Sequence, residues 1–426
     1  MGRVPTNKRL ARPDKPTSDS GFSAPPYRPP SFEPNPQKSV LTEMSTQPDR
    51  LDWIQALRGI AALMVVMVHS RSMLMGTTMG RHVADHVLSP MAMGVDLFFI
   101  ISGFLMVWTT RDFDGSTAYL WNFLIKRFAR IWPLLAIMTP VALVVEHGFG
   151  GLLDRRLVLS YLEGLAFIPH NPGASGIYFQ MAVGVAWTLC FEWYFYLVFA
   201  VSMVFGRWRY MAMAAWFALT LLAIPLGRGN YTLGVAVQPL VTWSRYANLA
   251  INPIVWDFVF GMAAAWLYES RIRIRSVRMT YATTLMLLAV LLAAWKPLGM
   301  VSFFGPQGWG APLGILFIGI ALLAKIDAIR VPRWTLWMGG LSYSLYLVHV
   351  YVFEVLQRIA EAIPLSHPTF EITLFLIRPV VAVICAWAMF RYVERPISAW
   401  LRKRLLGLRW PWQTQVERTV LEPHGQ

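Results

Sequence analysis

The sequence predicts an all-α, polytopic membrane bundle of about ten transmembrane helices, and three observations predict it. Hydrophobic residues make up 56% of the 426 and charged residues only 14%, where a soluble chain carries roughly a quarter charged. Runs of about 20 apolar residues, enough to cross a bilayer, recur along most of the chain. The 19 Trp and 15 Tyr suit aromatic belts at both membrane–water interfaces. With a mean hydropathy of +0.47, the apolar excess must face lipid instead of water.

Residues 1–50 are rich in Pro, Ser and basic residues, as in "RPDKPTSDSGFSAPPYRPPSFEPNPQKS". They lack apolar periodicity and read as a disordered cytoplasmic tail. The first apolar run begins too late for a cleavable signal peptide. Residues 51–400 read as the membrane domain and 401–426 as a basic cytoplasmic tail. Apolar spans fall near 54–71, 91–108, 131–146, 181–205, 210–226, 249–268, 279–295, 310–325, 337–357 and 371–391. The third, fifth, seventh and eighth are short, which predicts tilt or displaced ends. The segment 157–170 is apolar but interrupted, a candidate re-entrant piece. No inverted repeat of the kind found in secondary transporters is visible.

Charge sets the orientation. With the N-terminus inside, inner loops carry thirteen Lys and Arg and outer loops eight, as the positive-inside rule demands. The expected location is therefore the inner (plasma) membrane, multi-pass, with both termini cytoplasmic. The net charge of +15 is spread over short clusters between spans. That pattern suits contacts to membrane lipid head groups and argues against a nucleic-acid partner, which would need a basic soluble surface. Cys190 and Cys385 lie in apolar runs and read as small core residues, implying neither a disulfide nor a metal site.

Ionisable residues inside spans are costly and therefore functional candidates. Arg58 and His69 are eleven residues apart in the first span, close to three helical turns, so they share one face roughly 16 Å apart. A guanidinium suits phosphate and an imidazole takes a proton near neutrality. The blander reading makes Arg58 a snorkelling anchor and His69 an interfacial residue. Asp96, early in the second span, is level with His69 and is expected to orient its ring; the alternative is a helix-start cap. Lys126, Arg127, Arg130 and Trp132 form a basic, aromatic inner segment suited to a donor's phosphates or, alternatively, to lipid head groups. Glu192 stands among aromatics, with Arg378 or Arg58 as its expected cation. His349 and Glu354 are expected to be buried mid-span in the ninth. Trp187, Tyr343, His349 and Arg378 complete the candidates as substrate contacts; polar links between helices would serve equally well for His349 and Glu354.

Five segments then stand in a recognisable order: "LRGIAALMVVMVHS", "GVDLFFIISGFLM", "KRFARIWPL", "WTLCFEWYFYL" and "LSYSLYLVH", ending at "VERPI". Over residues 51 to about 396 the chain resembles the acyltransferase-3 family of integral membrane O-acyltransferases, which modify exopolysaccharides, O-antigens and related glycans. Its opening segment is similar to the exopolysaccharide-production members. The resemblance implies an acyl-CoA co-substrate (acetyl-CoA first), a glycan or lipid-linked saccharide acceptor and no metal. It also implies that His69 takes part in transfer, with Arg58, Arg127 and Arg130 needed for activity. Some members carry a further hydrolase-like domain after the membrane part, which this sequence is expected to lack.

The expected mechanism docks donor phosphates on Arg127, Arg130 and Arg58 in a central polar pore. The thioester arm reaches outward to His69, acting as general base or as acyl carrier. Catalytic candidates are thus His69, Arg58, Asp96 and Glu192. The rival reading is a saccharide transporter or flippase without chemistry.

Overall fold

A helix stands at each of the ten predicted spans. The structure, a computed structural model, describes residues 51–76, 78–172, 179–181, 183–229, 231–235, 244–272, 276–299, 304–327, 329–363 and 368–408. The predicted tail 1–50 and residues 409–426 lie outside the described residues.

The chain begins with α1 (Asp52–Ser70) and a short α2 (Thr78–Val83), which runs through π- and 3₁₀-helical turns into α3 (Gly94–Thr109). Then come α4 (Thr117–His147), α5 (Arg155–Leu165), a two-stranded antiparallel ribbon of β1 (His170–Pro172) and β2 (Phe179–Gln180), and α6 (Trp187–Met203). Next, α7 (Arg209–Ala218) continues through a π-helical turn into α8 (Ile224–Gly227), followed by α9 (Arg245–Ala250) and α10 (Val255–Glu269). The last elements are α11 (Val277–Gly299), α12 (Gly310–Ile326), α13 (Arg333–Glu361) and α14 (Pro368–Met389). A π-helical turn, Phe390–Glu394, joins α14 to α15 (Arg395–Leu406), so the start of the predicted basic tail is helix packed on α4.

Seven helical stretches among the described residues are long and apolar enough to cross a membrane, and Val277–Leu291 and Gly310–Ile326 are shorter apolar helices. The protein is an all-α, multi-pass membrane bundle.

Two expectations need correcting. The basic segment and the third span are one helix, α4, begun by Ser116, whose Oγ accepts from the Tyr119 N–H at 3.1 Å, and ended at Gly148, φ +69°. Pro133 and Pro140 lie inside it, which a membrane helix tolerates when neighbours absorb the freed carbonyls. The predicted re-entrant piece 157–170 is instead the capped helix α5 and the start of the ribbon. Asp154 Oδ1 accepts from the Arg156 and Leu157 N–H groups at 2.8 and 3.3 Å, and a helix of this length reaches only about 16 Å, half a bilayer core.

Packing turns on two close crossings. A Cβ at Gly103 would overlap the Phe258 carbonyl, and one at Gly261 the Ile100 carbonyl, so α3 and α10 touch backbone to backbone. Gly59 and Gly339 do the same for α1 and α13, a Cβ at Gly339 overlapping the Gln55 carbonyl. Small residues permit this approach, which compensates for the weak hydrophobic drive between helices in lipid. Aromatic rings fill the spaces beside the crossings. Phe195 stacks on Phe258 with centroids 3.9 Å apart, and Trp53 packs against Phe104 and Phe317.

Candidate active site

Helices α1, α3, α4, α6 and α13 border a partly open cavity with about 720 Å³ of empty space. Arg58, Arg127, Arg130, Glu192, Tyr196, Ser342 and Tyr343 supply its polar lining, and α3 supplies an apolar side from Val95 to Met106. Thr188 and Tyr346 also line it.

Local geometry explains why these side chains point inward. Arg127 and Arg130 are three residues apart on α4 and so share a face. Arg58 reaches from α1 to α13, donating from Nη2 to Ser342 Oγ at 3.0 Å and from Nη1 to Gln55 Oε1 at 3.2 Å. Arg127 Nη2 donates to Thr109 Oγ1 at 2.7 Å, and its guanidinium lies 5.5 Å from the Tyr196 ring centroid. Tyr196, one turn beyond Glu192, donates its O–H to that carboxylate. The Tyr343 O–H donates to the Ile131 carbonyl at 2.5 Å, fixing α13 against α4.

One further acid belongs here. Glu394, on the π-helical turn after α14, accepts from Ser344 Oγ at 2.5 Å and lies within electrostatic reach of Arg130 and Arg58. Three guanidiniums thus face two carboxylates, Glu192 and Glu394. A surplus cation in so confined a place is expensive unless an anion joins it, and arginine is the side chain best shaped for phosphate.

The histidine of the first span stands elsewhere. His69 does not line the cavity; its exposed ring lies against fully buried His349, with centroids 4.9 Å apart and planes at 66°. His69 Nδ1 is 2.8 Å from the Val65 carbonyl and 3.3 Å from His349 Nε2, and His349 Nδ1 is 3.0 Å from the Leu345 carbonyl. A carbonyl only accepts, so both Nδ1 atoms carry hydrogen and His69 Nε2 keeps its lone pair. The lining residue Tyr346 has its ring centroid 6.1 Å from that of His349, and His69 is the next ring beyond.

Several expected placements differ. Asp96 does not orient His69. Fully buried in the first turn of α3, it accepts from the Gly305 N–H at 2.6 Å and faces Asp257 of α10. Nor is it level with His69: the start of α3 packs at Gly94 against Ala61, Met64 and Val65, and Ser89, before the helix, is what meets Arg71. Arg378 is not the cation of Glu192. It is buried on α14 against Phe353 and donates to Gln357, and the cations near Glu192 are Arg58, Arg127 and Arg130. Glu354 is part-exposed, bridged to Arg358 at 2.9 Å, instead of buried mid-span. Lys126 is exposed, being about 100° round the helix from Arg127. Trp132 stacks on Phe128, and Trp187 packs against Phe99, Phe191 and Phe304, both off the cavity wall. The cavity therefore gathers Arg58, Arg127, Arg130, Glu192 and Tyr343, and leaves out His69, Asp96, Lys126, Trp132, Trp187, His349 and Arg378. Tyr196, Ser342 and Glu394 were not singled out. The four-residue step from Glu192 to Tyr196 was a usable signal for the first of them.

Comparison with known proteins gives a consistent picture. Residues 51–391, about four-fifths of the chain, match the family model described as "Acyltransferase domain". The exopolysaccharide production protein ExoZ of Rhizobium meliloti (strain 1021) is 29% identical over 313 residues, 72% of this chain and 89% of that protein. Nodulation protein 10 of Rhizobium leguminosarum bv. viciae is 28% identical over 371 residues, 83% of this chain and 94% of its own. Peptidoglycan O-acetyltransferase OatA of Listeria monocytogenes is 24% identical over 333 residues, 71% of this chain and 51% of that protein. No solved structure matches the chain.

Proposed function

The chain belongs to this acyltransferase family, and from that premise we propose that it moves an acetyl-type group from acyl-CoA onto a glycan or lipid-linked saccharide hydroxyl at the inner (plasma) membrane. The observation that carries the donor is the convergence of Arg58, Arg127 and Arg130 on one cavity with a surplus of positive charge. Charge-assisted, bidentate contacts from these guanidiniums suit the donor's phosphates. The cavity's apolar side along α3 suits an uncharged arm. The names of ExoZ and OatA support a polysaccharide acceptor.

In this reading the Arg58 end of α1 faces the cytoplasm, with both chain termini, and the thioester extends toward the Tyr346 end. His69 Nε2 takes the proton of the acceptor hydroxyl as its oxygen attacks the thioester carbonyl. The C–S bond then breaks, and the same proton passes to the departing thiolate. A two-step variant forms an acyl-imidazole at Nε2 first and hands the acyl group to the hydroxyl afterwards. In either route the protein chiefly supplies placement and electrostatics.

The test uses the purified full chain with acetyl-CoA and a de-O-acetylated polysaccharide. His69→Ala is expected to lower turnover by about 10²- to 10⁴-fold, the usual worth of a general base; undiminished turnover removes His69 from the chemistry. A transporter would share the polar cavity, but vesicles carrying one would release no free CoA.

A further inference from the structure

Resting on the reading of His69 just given, we infer that His349 is the positioning residue of that imidazole: its Nε2 lone pair receives the His69 Nδ1–H, holds the ring and stabilises the cation formed when His69 Nε2 takes a proton. The geometry supports this with one hydrogen, on His69 Nδ1, shared between the Val65 carbonyl and His349 Nε2. His349 is fully buried on α13, and its own Nδ1–H is committed to the Leu345 carbonyl at 3.0 Å. Only an acceptor is left at its Nε2, which lies 3.3 Å from His69 Nδ1. The Val65 carbonyl at 2.8 Å already selects the His69 tautomer. What His349 adds is a second, ring-shaped acceptor from the partner helix, packed edge to face on the base.

This is the place the sequence reading gave to a carboxylate. A neutral imidazole does the task differently. A carboxylate would put a permanent charge in a buried position, at a large desolvation cost. A neutral ring adds none at rest and can share a positive charge as it develops. The close approach of α1 and α13 at Gly59 and Gly339 fixes the pair's separation from below. Nearly three turns further along the same helices, a rigid crossing becomes a rigid pair of rings.

The experiment compares the full chain with His349→Leu, His349→Gln, His69→Ala and His69→Ala/His349→Leu, each confirmed as monodisperse in detergent. Acetyl-CoA and de-O-acetylated polysaccharide are the substrates. His349→Leu fills the space without an acceptor and is expected to lower kcat on the order of tenfold or more, with the donor KM unchanged within a factor of about two. His349→Gln, whose amide oxygen accepts and whose N–H₂ donates to Leu345, is expected to recover most of the loss. The Leu change should cost nothing further in the His69→Ala background, since groups acting as a unit are not additive. Wild-type kcat in His349→Leu, or a folded His349→Gln as slow as the Leu variant, overturns the inference. If His69→Ala is inactive while His349→Leu is not, only the positioning role falls. If His69→Ala is itself active, the functional reading falls instead.

Discussion

Two clusters of ionisable side chains occur in the same bundle, one half-buried and one fully buried, and they could hardly differ more. In one, Arg58, Arg127, Arg130 and Glu192 come from three helices and border an open volume of about 720 Å³. In the other, Asp96 and Asp257 face each other, fully buried, on the two helices whose backbones touch at Gly103 and Gly261. The first has more positive than negative charge and room for a guest. The second has its acceptor, Asp96 Oδ1, bound to the Gly305 N–H of the segment leading into α12. The arginine cluster can thus receive a ligand, whereas Asp96 ties α3 to the segment before α12.

Substitutions can break or sharpen this contrast. The largest effect is expected from Arg130→Ala, which removes a charge-assisted contact worth about 1.5–3 kcal/mol. It should raise the donor KM or lower kcat/KM about 10- to 100-fold with an unchanged Tm in detergent. A similar loss from Asp257→Asn would erase the distinction. Next comes Asp96→Ala, which leaves the Gly305 N–H without its acceptor at a cost of about 1–3 kcal/mol. Thermal unfolding should report that loss while turnover per folded molecule stays within about twofold, and Asp96→Asn, which retains an oxygen, should lose less. The smallest effect is expected from Lys126→Ala. That exposed neighbour of the cavity arginines should leave kcat/KM within about twofold, the range of an ordinary surface change. A tenfold loss there would mean that the donor's phosphates spread beyond the cavity.

Which segments form helices was legible in the sequence, and how those helices meet was not. Hydropathy located a helix at each predicted span because lipid imposes length and apolarity on each one separately. The three-residue step from Arg127 to Arg130 correctly put both on one side, since that spacing is internal to a helix. Asp96 shows the limit. It was expected level with His69 and facing it, but where it sits and points depends on how α3 packs on α1 and crosses α10, the crossing resting on two glycines more than 150 residues apart in the chain. Glu394 escaped for a related reason: it closes a π-helical turn, which shifts the face that a regular helix would present. The His69–His349 contact joins residues 280 positions apart, and a single sequence carries no signal for such a pair.

The glycine-mediated contact of α1 and α13 has a consequence for the dimensions of the substrate. Arg58 and Ser342 meet at one end of this helix pair, His69 and His349 at the other, and neither helix can slide without opening the Gly59–Gly339 seam. The pair is a molecular ruler about 16 Å long, and under the proposed chemistry it measures its donor from the anionic group to the reactive carbon. Chain length of the acyl group would go unread, because it extends past the far graduation, whereas shortening the arm would leave one end empty.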